Sequence, residues 1–167
     1  MNLKLESRTV SQATVFAALI AACEILPLDI PVPILGVKLT LDPTGIPIFL
    51  STMLFGASVG ILNVLVAGLV ISMRNIVSGF MKALAELSTI ALYPITKDKP
   101  FYPVACVLLR VVVMSIACLI VLPAVYGFPR EAVISMLPAI GIFNTIQGGL
   151  NIAVSVLIHR SVRLWQG

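Results

Sequence analysis

Two sets of polar residues recur at helical spacing inside long apolar runs. Asn75, Gly79, Lys82 and Glu86 fall at i, i+4, i+7 and i+11, which at about 100° per residue places them in a narrow stripe on one face. Asn144, Gln147 and Asn151 follow i, i+3 and i+7, beside Gly148 and Gly149. Exposing such groups to lipid is expensive, so two stripes on separate helices need a common interior or a ligand. One reading is interhelical hydrogen bonding, worth roughly 0.6 kcal/mol per bond; Asn151, which lies deepest, suits it best. The preferred reading is a polar-lined pocket opening on the external side. There Lys82 suits a carbonyl, carboxylate or ring-nitrogen acceptor.

Glu86 and Arg110 are read apart from the ligand contacts. Glu86 lies nine residues before the inner end of the fourth apolar segment and Arg110 about ten after the inner start of the fifth. At 1.5 Å per residue they reach similar depths on antiparallel neighbours, so a structural ion pair is expected, since a lone buried charge is costly. Glu24, near the external end of the first segment, either touches a ligand or reaches interfacial water. Catalytic signals are missing. The sole histidine, His159, sits at the end of the last apolar run, which leaves no material for a His-based metal site or proton relay. No Gly-rich phosphate loop precedes a Lys-Ser/Thr pair, and no Ser/His or paired-carboxylate arrangement is present. The chain is therefore expected to be no enzyme, to bind no metal and to carry no cofactor of its own.

The elements that must position these residues follow from composition. Of 167 residues, 59% are hydrophobic and 11% charged, with mean hydropathy +1.11. A soluble domain needs far more charge, so lipid is the solvent for most of the chain and an all-α membrane protein is expected. The net charge of +4 speaks to membrane topology and not to nucleic acid. Cys23, Cys106 and Cys118 are solitary and read as small buried side chains. The first apolar run is too long for a cleavable signal. Apolar segments are expected at about 9–26, 75–95, 101–124 and 132–158, and the uncharged run from Pro43 to Met73 divides into 43–55 and 58–73. Asp42-Pro43 reads as an N-cap with proline at the first helical position, and Gly56 to Gly60 supply turn residues. Six helices put Lys4, Arg8, Lys97, Lys99, Arg160 and Arg163 on one side against Lys38, Arg74 and Arg130; five leave no bias. The positive-inside rule therefore selects six helices in one transmembrane domain, with both termini cytoplasmic in the cell membrane. The connection from Pro27 to Asp42 is long, with a strand-like Val37–Leu41, and is either a lid or an inert connector. Ala13, Ala17 and Ala21 form a small-residue stripe that serves either internal packing or a docking partner.

Four features together resemble the substrate-binding S components of energy-coupling factor (ECF) vitamin transporters, particularly the riboflavin-type branch. They are the Ala13/Ala17/Ala21 stripe, the segment Leu41-Asp42-Pro43-Thr44-Gly45-Ile46-Pro47, the Gly-x-x-x-Gly stretch within Leu54–Leu62, and the six-helix plan across nearly the whole chain. The resemblance implies a six-helix bundle that captures a vitamin at its external face. It also implies association with a transmembrane coupling subunit and two ATPase subunits, docked through the alanine stripe. The first loop would be the lid, with Ile34 and Leu35 closing over the ligand. Lys38, Asn75, Lys82, Asn144 and Gln147 would supply polar contacts, with Glu24 beside them. Riboflavin-type members contact ligand through an Asn and a Lys on the last helix; here the pair is Asn144 and Gln147. Two other classes remain: a stand-alone secondary carrier coupled through Glu86, and a ligand-free membrane assembly factor.

Overall fold

The computed structural model describes residues 7–26, 30–34 and 37–166. Leu35 lies outside them, and Ile34 and Lys38 are described by their backbones alone. Prolines, glycines and short polar clusters set the element boundaries. Helix α1 (Ser7–Ile25) precedes a hairpin of β1 (Ile30–Ile34) and β2 (Val37–Leu41). Then follow α2 (Gly45–Phe55), α3 (Ala57–Ser72), α4 (Ile76–Ala91), the single turn α5 (Tyr93–Thr96), α6 (Tyr102–Tyr126) and α7 (Arg130–Gln166).

The hairpin is antiparallel, with Ile30 opposite Leu41 and Ile34 opposite Val37. Pro31 and Pro33 share one parity, so only Ile30, Val32 and Ile34 of β1 have an N–H to give the ladder. Helix α2 begins at Gly45, later than Asp42-Pro43 suggests. Thr44 takes the cap position without a side-chain cap bond, because the Asp42 carboxylate accepts from Thr44 N–H and from Lys82 instead. The break in the uncharged run is a single residue, Gly56, whose φ of 94° suits only glycine. Gly60 is not part of that turn: it lies within α3, against Thr52 of α2. Helix α7 continues past 158 because no proline or glycine interrupts the chain between Gly149 and Gly167.

Helix α1 packs on α2 and α3, α3 on α4, α4 on α6, α6 on α7, and α7 closes onto α2. Ile20, Ile48, Phe49, Val64, Ala67, Ile90, Cys106 and Ile152 form the central core. Tyr93 stacks edge-on against both Phe49 and Tyr102. The usual distribution of polarity is inverted. Glu86, Arg110, Asn144, Gln147 and Asn151 are buried, while Val104, Leu108, Val112, Ile116 and Ile120 of α6 face outward. Among the described residues, Ile76–Thr96, Tyr102–Tyr126 and Arg130–Val162 are long and apolar enough to cross a membrane, and Thr9–Ile25, α2 and α3 are shorter apolar helices. The chain is a membrane protein, its polar groups turned inward and its apolar side chains toward lipid.

Gly79 belongs to this packing and not to the polar stripe. A Cβ there would lie 2.0 Å from Ser72 Oγ and 2.4 Å from the Gly68 carbonyl oxygen, so α3 and α4 touch backbone to backbone. Gly79→Ala is expected to destabilise the bundle by about 1–3 kcal/mol through overpacking. Gly149→Ala, in the interior of α7 where a Cβ meets nothing within 4 Å, should not lower the melting temperature in detergent and should raise it slightly.

Candidate functional site

At one end of the bundle the α3–α4 turn, the foot of β2, and α4, α6 and α7 surround a cavity of about 570 Å³. This volume lies within the range of small-molecule sites. Glu24, Asn75, Lys82, Asn144 and Gln147 border it, together with Asp42, Arg74 and Arg110. Its apolar wall includes Val77, Met81, Met114, Val121, Ile140 and Phe143.

The floor is a chain of charges. Lys82 Nζ lies 2.5 Å from Asp42 Oδ1 and 3.2 Å from Glu86 Oε1. Arg110 Nη1 reaches the same Glu86 oxygen at 3.1 Å and donates to Thr89 Oγ1 at 2.9 Å. Arg110 Nε donates to Asn144 Oδ1 at 3.2 Å, while Asn144 Nδ2 donates to the Ile140 carbonyl. Gln147 Nε2 donates to the Asp42 carbonyl oxygen at 2.6 Å. Asp42 is thus held by its side chain to α4 and by its backbone to α7. Burial pushes the Asp42 carboxyl up, but the Lys82 ammonium and the Lys82 and Thr44 hydrogen bonds outweigh it and hold the group below the usual carboxylate range. Near the cavity mouth Arg74 Nη2 lies 3.0 Å from both the Glu24 carboxylate and the Glu24 carbonyl oxygen. Among the described residues three acids therefore face three bases.

The residues singled out by spacing occupy different roles here. Lys82 and Gln147 present their donors at the cavity. Asn144 borders it, but both ends of its amide are engaged, with Arg110 and with its own helix. Asn75 is exposed and caps α4, its Oδ1 accepting from Ser78 N–H. Asn151 is buried below the cavity floor. On α1, Ala13 is buried and Ala17 and Ala21 are half-buried, while the outward face carries Val15, Ala18, Leu19 and Ala22. Asp42 and Arg74 are contributors that spacing did not single out, because Asp42 looks like a helix cap and Arg74 like a topology marker. Their partners lie 40 and 50 residues away in sequence, beyond any local pattern.

A second cavity, of about 470 Å³, opens at the opposite end between the α2–α3 turn, α5, α6 and α7. Its Lys97 and Asp98 are exposed, so it lacks the preorganised buried charges of the first.

No family model matches this chain, and neither does any curated protein. Among solved structures the chain is similar to one described as the S component of a bacterial ECF transporter. Sequence identity is 26%, the match covers 96% of this chain and 98% of that one, and the TM-score is 0.79.

The charge chain yields a stability test. Arg110→Met leaves Glu86 short of a partner and should cost about 3–5 kcal/mol, seen as loss of folded, monodisperse protein in detergent. The double variant Glu86→Gln/Arg110→Met removes both charges and should recover much of that loss. A double variant no more stable than the single would show that the pairing does not matter.

Proposed function

We propose that this chain is the substrate-specificity subunit of an ECF-type importer, binding a riboflavin-like vitamin at the external face of the cell membrane. A transporter S component is a structural neighbour over nearly the full length of both chains, and that likeness is the observation that carries the reading. The donors of Lys82 and Gln147 suit a heterocycle that bears carbonyl acceptors.

Lys82 and Gln147 supply the specific donors, and both are already turned toward the cavity, where Asp42 occupies them. A carbonyl of the ligand shares or takes over these donors, while Met81, Met114 and Phe143 cover its apolar face. Lys38, Asn75, Asn144 and Glu24 complete the polar surround in this reading, and Ile34 and Leu35 close over the ligand from the hairpin side. A transmembrane coupling subunit docks on α1 beside the stripe of Ala13, Ala17 and Ala21, of which Ala13 is buried and Ala17 and Ala21 are half-buried, and two ATPase subunits supply the energy. Both termini lie in the cytoplasm, consistent with six basic residues on that side against three on the other. No step of this function asks the chain to catalyse a reaction.

A stand-alone secondary carrier would need a free carboxyl to couple transport to protons or ions. Glu24, Asp42 and Glu86 are the described acids at the cavity, and each is already held by a cation, which favours the importer subunit.

Thermal melts of the purified protein across a panel of B vitamins test the assignment. At a hundredfold excess over Kd, a true ligand adds about 2.7 kcal/mol, and riboflavin is expected to give the largest rise. Lys82→Met and Gln147→Leu should each weaken that ligand roughly tenfold by leaving its acceptor unpaired. A flat response to the whole panel would overturn the reading.

A further inference from the structure

Arg110 has more donors than its ion pair uses. The residue is 3% exposed, and a guanidinium carries five N–H groups in a fixed fork. Nε donates to Asn144 Oδ1, and Nη1 reaches the Ala85 carbonyl, Glu86 Oε1 and Thr89 Oγ1. Nη2 makes no hydrogen bond among the described residues. It is not sealed within protein either, and the open space that Arg110 borders is the cavity. The other donors at the floor differ, since Lys82 Nζ and Gln147 Nε2 are already given to Asp42. Pairing with Glu86 does not explain the choice of residue. A lysine would supply the charge, but not a second nitrogen fixed in the plane of the first.

The neighbours hold this edge in place. Asn144, which directs Nε, is itself tied to the Ile140 carbonyl of its own helix. The stem of Arg110 passes Gly148 of α7, where a Cβ would lie 3.0 Å from Arg110 Cδ, so glycine leaves it room. Nη2 is therefore a preorganised donor, and a ligand that uses it pays little to order it. We propose that Arg110 is a specificity-determining residue as well as half of an ion pair: Nη2 donates to a ring carbonyl oxygen of the ligand. This deepens the substrate-binding assignment above and rests on it. The number of free nitrogens selects the acceptor. A two-point grip on a carboxylate or phosphate needs parallel N–H groups from two nitrogens, and Nε and Nη1 are spent. One nitrogen suits a single acceptor atom lying near the guanidinium plane, as a carbonyl of a planar heterocycle does.

Three measurements on the full chain in detergent test this. The first uses no ligand and follows hydrogen exchange at nitrogen-labelled arginine side chains by NMR, with the Arg110 signals assigned by their loss in Arg110→Lys. Protons held by buried acceptors exchange only on local opening, so those on Nη2 should exchange roughly tenfold faster than those on Nη1. Equal protection of both nitrogens would overturn the free edge. The second is affinity: Arg110→Lys keeps a charge opposite Glu86 and should bind riboflavin about tenfold more weakly than the parent. Undiminished affinity in that variant would overturn the contact while leaving the importer reading intact. The third compares riboflavin with its two monothio derivatives, each having one ring carbonyl oxygen replaced by sulfur, a weaker acceptor. One derivative should bind the parent and Arg110→Lys equally, because a shared interaction is lost only once. Additive losses with both derivatives would leave Arg110 a structural charge and overturn its role in specificity. Should Arg110→Lys fail to fold, Glu86→Gln/Arg110→Met replaces it in each comparison. A parent that does not bind riboflavin overturns the substrate assignment and the carbonyl contact together, and the exchange rates still decide whether the Nη2 edge is open.

Discussion

Everything at the cavity depends on one carboxylate oxygen. Glu86 Oε1 is shared by a lysine from its own helix and an arginine from the next, in a bundle whose surroundings offer no water to solvate an unpaired charge. In that solvent the choice is between pairing and expulsion. Pairing fixes three things together: the depth of α6 against α4, the direction of the Arg110 guanidinium toward Asn144, and the position of the Lys82 ammonium. From Lys82 the chain of charge extends to Asp42, and from Asp42 to the hairpin and to Gln147 on α7. The pocket is therefore an electrostatic object before it is a shape. Its polar side chains are already bonded to one another.

Such a site is only partly legible from sequence. Helical spacing brought Lys82 and Glu86 onto one face, and an equal-depth argument linked Glu86 to Arg110; both rest on the fixed rise of a helix, which needs no tertiary knowledge. The same arithmetic grouped Gly79 with them, yet Gly79 packs against Gly68. A stripe of this width spans two neighbours in a closely packed bundle, and spacing cannot divide it between them. Asn75 shows a different ambiguity, since a polar residue at a helix start serves the backbone as readily as a ligand. Asp42 was the hardest to read. An Asp-Pro pair before an apolar run is a familiar helix-start signal, and the competing partner, Lys82, lies 40 residues further on. A strong charge-assisted bond overrides a weak local preference, and no local window contains both partners.

The helix boundaries divide in the same way. Glycine with positive φ at Gly56 marks the end of α2 sharply, whereas Gly60, equally permissive, stays helical because a small residue is needed beside Thr52. Backbone freedom and close approach select the same amino acid, and only packing tells them apart. Helix α7 runs to Gln166, beyond the apolar segment, because a falling hydropathy marks where lipid stops, not where helical hydrogen bonding stops.

The brevity of α2 has a geometric consequence. Eleven residues rise about 16 Å, roughly half the ~30 Å hydrocarbon thickness, and its first residue sits beside Glu86 and Asn151 at the level of the cavity floor. A helix that spans only half the membrane begins inside it. The positive end of its dipole, which a full-length span would present to water, is turned instead on the buried Glu86 carboxylate.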